Sequence, residues 1–120
     1  MRTAMSLGTM RDLLDLRSDA LTAIKTGHPD VERHERRVRH IEQKMRQDGM
    51  YIHNKVTKNV TQSVTARTPF DFNLPKTVTD KASRMEVWAT TAARPGNDFC
   101  LFCVFDDNDT QISCIYVKGF

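Results

Sequence analysis

The chain has no long apolar run and few cysteines or glycines, and each shortage excludes a class of protein. Gly8, Arg11 and Asp12 interrupt its first residues, so the apolar core of a secretory signal peptide is absent. Nowhere do apolar residues approach the roughly 18 in succession that a membrane-spanning helix needs. The sequence therefore predicts a soluble, cytoplasmic protein.

The three cysteines are an odd number without a secretory signal, which indicates reduced thiols and not a disulfide framework. Cys100 and Cys103 have the spacing of a metal-binding or redox pair, but residues three apart on a strand point to opposite faces. No second such pair completes a tetrahedral ligand set, and His34 and His40 lie on different faces of one helix. We expect no metal site and no cofactor.

Five glycines, mostly at element ends, are too few for a phosphate-binding loop, and no dinucleotide fingerprint or serine elbow is present. The acidic segment 106–109 lacks the central glycine and the terminal glutamate of a calcium-binding loop. We expect this segment to be a solvated turn and the protein to be no enzyme.

The clearest pattern covers residues 28–49, which predict one amphipathic helix. Pro29 suits the first helical position, and Gly49 suits the stop. The apolar stripe recurs at steps of three and four residues: Val31, His34, Val38, Ile41 and Met45. The opposite face is rich in arginine: Arg33, Arg36, Arg37, Arg39 and Arg46.

This arginine face has two interpretations. Guanidinium groups match phosphate geometry and keep their charge, which favours an anion-binding surface. The alternative is a solvated face stabilised by acid-first pairs four residues apart: Glu32 with Arg36, Glu35 with Arg39, and Glu42 with Arg46. Such pairs stabilise a helix by about 0.2–0.5 kcal/mol each. Because the glutamates of these pairs would engage most of the arginine side chains, this motif taken alone favours the solvated face.

A preceding helix is predicted from about Thr9, where Asp12 follows at capping-box spacing, to Gly27. Its apolar residues are Met10, Leu13, Leu14, Ala20, Leu21 and Ile24. The short connection around Gly27 and Pro29 favours an antiparallel helical hairpin over residues 9–48. The apolar stripes of such a hairpin need a further surface to cover them.

Residues 50–67 fit a helix and a strand equally well by periodicity, because four apolar residues follow each other at steps of four: Ile52, Val56, Val60 and Val64. The many valines and threonines favour an extended strand. We expect a strand from about Thr61 and leave 50–60 open. A loop is predicted over 68–76, with three residues that cover the core: Phe70, Phe72 and Leu74.

From Arg84 onward the alternation predicts β-structure, with a turn at 94–97 and a strand from Phe99 to Phe105 that is apolar on both faces. A four-residue loop at 107–110 then predicts the register of a hairpin. The predicted pairs are Asp106 with Gln111, Phe105 with Ile112, Cys103 with Cys114, and Leu101 with Tyr116.

The predicted fold is α+β, an N-terminal antiparallel helical hairpin packed on a C-terminal antiparallel sheet of about three to five strands. We expect one domain over residues 1–120, with the sheet portion at about 61–120. The strand that is apolar on both faces needs cover on both. The hairpin supplies one cover, and the 68–76 loop or an identical sheet supplies the other, so a homodimer is expected.

Charge is unevenly distributed, since residues 28–67 hold nine Lys/Arg against five Asp/Glu while 98–120 hold one against four. We expect a non-enzymatic regulatory or accessory binding module that engages an anionic partner, nucleic acid or a phosphorylated ligand. The expected binding residues are Arg33, Arg36, Arg37, Arg39, Arg46, Lys55, Lys58 and Arg67. The alternative is a protein–protein interaction module, an inhibitor or adaptor acting as a homo-oligomer. A third possibility is a small enzyme that uses one of the cysteines, Cys100, Cys103 or Cys114.

Overall fold

The computed structural model describes residues 5–67, 75–90 and 99–118, with the backbone alone described at 64–67 and 118. In these ranges the elements follow in order: α1 (Leu7–Lys25), α2 (Val31–Gln47), β1 (Met50–Val56), α3 (Val60–Arg67), α4 (Lys76–Lys81), β2 (Arg84–Thr90), β3 (Phe99–Phe105) and β4 (Gln111–Lys118). The predicted turn at 94–97 lies outside the described residues. So does the predicted 68–76 loop with Phe70, Phe72 and Leu74, except for its last two residues: Pro75 caps α4, and Lys76 begins it.

The two helices of the predicted hairpin are present, but the residues that begin them differ from the prediction. Ser6, not Thr9, caps α1, because the Thr9 N–H donates to Ser6 Oγ at 3.1 Å. Pro29 precedes α2, whose cap is Asp30. Both predicted glycine stops are confirmed, since Gly27 and Gly49 have φ angles of 83° and 85° after the last helical turns.

The segment 50–67 contains a strand and then a helix, so the strand expected from about Thr61 is wrong. Residues 50–56 form β1, and α3 begins at Val60. Asn59 adopts a left-handed φ of 53°, and its carbonyl accepts the Ser63 N–H at 3.0 Å. Asn59 therefore separates β1 from α3. Of the four apolar residues at steps of four, Ile52 and Val56 lie in β1, and Val60 and Val64 lie in α3.

Four antiparallel strands form one sheet in the order β1-β2-β3-β4. The predicted pairs of Cys103 with Cys114 and of Leu101 with Tyr116 are confirmed. The register predicted at the tip of the β3–β4 hairpin is wrong. Phe105 lies opposite Gln111 and not opposite Ile112, because the pairing shifts after Val104. Asp106 belongs to the turn instead, where its Oδ1 accepts the N–H groups of residues 108 and 110 at 2.9 and 3.0 Å.

The helices lie on both faces of this sheet. On one face α2 contacts β1 and α1 contacts β4. The core there contains Met10, Leu14, Met45, Met50, Trp88, Leu101, Cys103 and Phe105. On the other face α3 and α4 supply Val60 and Val78 to a second core with Met85, Val87, Ala89, Cys100, Phe102, Val104 and Ile115. The predicted α+β fold, with a helical hairpin packed on an antiparallel sheet, is therefore confirmed.

Both faces of β3 are buried by elements of the same chain. The homodimer is expected from a sheet face that needs cover, and α3 and α4 cover that face within the chain. The oligomeric state itself stays a prediction. None of the described helices has the length and apolar character needed to cross a membrane.

Candidate functional site

The basic surface of α2 is turned away from the core. His34, Ile41 and Met45 are the buried residues of this helix, and the five arginines of the predicted site are all exposed: Arg33, Arg36, Arg37, Arg39 and Arg46. Four of them line a shallow surface depression together with His40 and Gln43. With exposed Lys44, the helix carries six Lys/Arg against three Glu, a net charge of +3.

The ion pairs predicted along this helix are not formed. Within the described part of the chain, none of the three acid-first pairs lies within ion-pair distance. The contact that does occur is a long one, 3.5 Å from Arg33 Nε to Asp30 Oδ2, between two side chains that are more than half exposed. Arg36, Arg37, Arg39 and Arg46 consequently have no ion-pair partner among the described residues, which leaves their guanidinium groups available to an external anion.

The three remaining residues of the predicted site lie beyond α2. Lys55 is exposed on the edge strand β1, opposite Glu86 in the ladder. Residues opposite each other share a face, so Lys55 is on the side of the sheet that carries α1 and α2. Lys58 is exposed in the short connection to α3. The backbone of Arg67 ends α3, and its side chain lies outside the described atoms.

A buried charge network, absent from the sequence prediction, holds α2 in its orientation. Arg17 of α1 forms a two-pronged contact with Glu86 of β2, with distances of 2.7 Å and 3.0 Å between the guanidinium nitrogens and the carboxylate oxygens. Arg17 Nη2 also lies 3.1 Å from Glu42 Oε2 of α2. Among the described contacts, Glu42 is thus paired with Arg17 and not with Arg46.

Arg84 extends the network to the β3–β4 turn. Its Nη1 donates to Glu86 Oε2 and its Nε to Asp109 Oδ1, both at 2.7 Å. The indole of Trp88 donates to Glu86 Oε1 at 3.2 Å. The network therefore connects α1, α2, β2 and the turn after β3.

Burial alone would lower the pKa of Arg17, but the hydrogen bond and the charge of Glu86 outweigh burial and raise it. Burial alone would raise the pKa of Glu86, but the hydrogen bonds and charges of Arg17 and Arg84 lower it. Both groups are charged at neutral pH. With 4% and 3% of their surfaces exposed, respectively, they form a buried ion pair.

A sequence signal for this pair does exist. Arg17 lies three residues after Leu14 and three before Ala20, on the stripe that α1 buries. Glu86 lies between Met85 and Val87, within a strand that is buried along most of its length. One basic and one acidic residue on two apolar stripes indicate a buried ion pair.

Among the described residues, the cysteines and histidines do not gather into one cluster. Cys100 and Cys103 belong to cores on opposite faces of the sheet, as their spacing on a strand predicts. His34 is buried, and a hydrogen bond of 3.1 Å joins its Nε2 to His28 Nδ1. His40 is exposed. No group of three potential metal ligands occurs in the ranges that the structure describes.

No family model, curated protein or solved structure matches the chain. The role of each residue is therefore inferred from its own contacts, exposure and charge.

Proposed function

We propose that the protein is a non-enzymatic regulatory or accessory binding module that engages an anionic partner through the exposed arginines of α2. The observation that carries this proposal is the absence of ion pairs at Arg36, Arg37, Arg39 and Arg46 among the described residues. The sequence alone favours a solvated face, because it places a glutamate four residues before three of these arginines. Without those pairs, binding a phosphate does not require an internal contact to be broken.

The length of the basic surface favours nucleic acid over a single phosphorylated group. From Arg33 to Arg46 the helix rises about 20 Å at 1.5 Å per residue. One strand of duplex DNA rises about 3.4 Å per nucleotide, so this length spans several phosphates. A lone phosphate would contact only a small part of the surface.

The alternative, a protein–protein interaction module, receives less support. The large hydrophobic residues that are exposed in the described ranges are Leu16, Tyr51 and Tyr116, on α1, β1 and β4 respectively. Single apolar residues on separate elements are ordinary for a soluble surface, whereas a contiguous patch would indicate a protein partner.

The proposal is tested by the salt dependence of duplex DNA binding, measured by fluorescence anisotropy. The variant R36Q/R39Q removes two exposed charges from α2. The control variant K76Q/K81Q removes two exposed charges from α4, on the opposite face of the sheet. Each phosphate contact contributes about 0.9 to the slope of log K against log salt.

We expect R36Q/R39Q to reduce the magnitude of that slope by about 2 and to weaken binding at each salt concentration. The control variant should retain the slope of the wild type. Equal effects of the two variants would show non-specific attraction and contradict a site on α2. Absence of salt-sensitive binding by the wild type at low ionic strength would remove the proposal altogether.

A further inference from the structure

Cys103 and Cys114 lie directly opposite each other on β3 and β4. Both side chains are on the face of the sheet that α1 covers, and Cys103 belongs to the core there while Cys114 packs at its margin. The two thiols are close enough for each to shift the pKa of the other. Cys100 belongs to the core on the other face, so it cannot take the place of Cys103.

Backbone directions show which kind of cross-strand pair this is. The Phe105 carbonyl accepts the Ser83 N–H at 2.8 Å, so it points toward β2, and Cys103 two residues earlier has the same orientation. The Cys114 carbonyl points away from β3, where Arg11 Nη2 donates to it at 3.5 Å. This is a non-hydrogen-bonded pair, whose Cα atoms are about 4.5 Å apart in antiparallel sheets, within the about 4.4–6.8 Å that a disulfide spans.

The two thiols differ in access and acidity. Cys103 is fully buried, whereas Cys114 is partly exposed. The hydrogen bond from Cys103 lowers the pKa of Cys114 against the opposing effect of burial, and the charge of Arg11 lowers it further. The same hydrogen bond, together with burial, raises the pKa of Cys103. Cys114 is therefore the thiol that ionises first and that an oxidant reaches first.

We propose that Cys103 and Cys114 form an oxidation site that a hydroperoxide converts into a cross-strand disulfide. The Cys114 thiolate attacks the terminal peroxide oxygen, the O–O bond breaks, and the departing alkoxide takes a proton to become an alcohol. Cys114 is left as a sulfenic acid. The proposal is independent of the function proposed for α2.

Cys103 then completes the reaction. Its sulfur attacks the Cys114 sulfur, the S–O bond breaks, and the Cys103 proton leaves with the hydroxide as water. The two thiols together lose two electrons, and the peroxide is reduced to an alcohol and water. The two cysteines already lie opposite each other on neighbouring strands, so no strand has to move for this step.

The experiment uses the reduced 120-residue chain, treated with hydrogen peroxide at a temperature where its circular dichroism is native. Free thiols are then alkylated, and the protein is digested with a protease that cleaves before aspartate. Asp106, Asp107 and Asp109 lie between the two cysteines, so digestion separates residues 98–105 from 109–120 unless a disulfide joins them. Fragmentation of the joined peptides distinguishes Cys103 from Cys100, and the variant C100A makes the same distinction independently.

We expect joined peptides that contain Cys103 and Cys114 in both the wild type and C100A. In C103A the reaction should stop at a Cys114 sulfenic acid that dimedone traps. Peptides that stay separate in a natively folded wild type would overturn the proposal. So would a disulfide between two chains, a link to Cys100, or oxidation of Cys114 beyond the sulfenic acid.

Discussion

At the scale of single residues, the Arg17–Glu86 pair matters to stability because both partners are buried. Removing one partner leaves the other charge buried without compensation, which costs about 3–5 kcal/mol. We predict that E86Q lowers the free energy of unfolding, measured by urea denaturation, by this amount. The amide keeps the shape of the carboxylate, so the loss would come from the missing charge that Arg17, Arg84 and Trp88 contact.

A double variant and a pH series serve as controls for this prediction. In R17M/E86Q the destabilisation should be smaller than the sum of the single effects, with a coupling of about 0.5–3 kcal/mol. Because the pKa of Glu86 is lower in the folded state, its stabilising effect is complete above the ordinary pKa of 4.5 and is lost as pH falls through the folded value. The difference between wild type and E86Q should therefore shrink in acid. A loss below about 1 kcal/mol at neutral pH would contradict a buried pair.

At the scale of elements, Gly49 determines how α2 passes into β1. It has a φ of 85°, and a Cβ there would meet no atom within 4 Å. Substitution is therefore costly because of backbone conformation and not because of crowding. We predict that G49A lowers the free energy of unfolding by about 1–2 kcal/mol, measured by urea denaturation.

Gly8 is the matched control for Gly49, because it lies in α1 without a left-handed backbone. A Cβ at Gly8 has Ser6 Oγ as its nearest neighbour, at an ordinary contact distance of 3.9 Å. G8A should be neutral or stabilising, by up to about 1 kcal/mol. Equal destabilisation by G8A and G49A would point to a general effect of alanine and contradict the conformational explanation.

The elements that the sequence predicts correctly have a clear periodicity of apolar residues and a clear terminating residue. Gly27 and Gly49 end α1 and α2 as expected, and β3 is apolar on both faces because both are covered. The sequence of α3 resembles a strand because steps of four residues satisfy both the helical and the strand period, and the deciding residue is Asn59 with its left-handed backbone.

The sequence predicts which residues of the candidate site are exposed, but it does not predict which of them form ion pairs. Within α2 each glutamate had an arginine four residues on, and only the fold shows that Glu42 turns to Arg17, 25 residues earlier in the sequence. The partner of Arg17 in the sheet, Glu86, is 69 residues away. Pairs so distant depend on how the helices dock on the sheet, which local pattern does not determine.

At the scale of the whole molecule, β3 connects two cores. Leu101, Cys103 and Phe105 contribute to the core beneath α1 and α2, and Cys100, Phe102 and Val104 contribute to the core beneath α3 and α4. Successive residues of β3 bury their side chains in alternate cores. Loss of packing in one core therefore displaces β3 and disrupts the other core as well. The expectation of one domain thereby gains a physical reason, and it can be tested by cooperativity.

We predict that I115V, in the core beneath α3 and α4, destabilises the protein by about 0.5–1.5 kcal/mol. Trp88 lies in the opposite core and is 1% exposed, so its fluorescence reports on that side alone. If the two cores unfold as one unit, I115V shifts the urea midpoints of Trp88 fluorescence and of far-ultraviolet circular dichroism together. I41V, on the buried face of α2, should shift both signals in the same way. A fluorescence midpoint that stays at the wild-type value in I115V while the dichroism midpoint falls would mean that the cores unfold separately and that the chain contains two cooperative units.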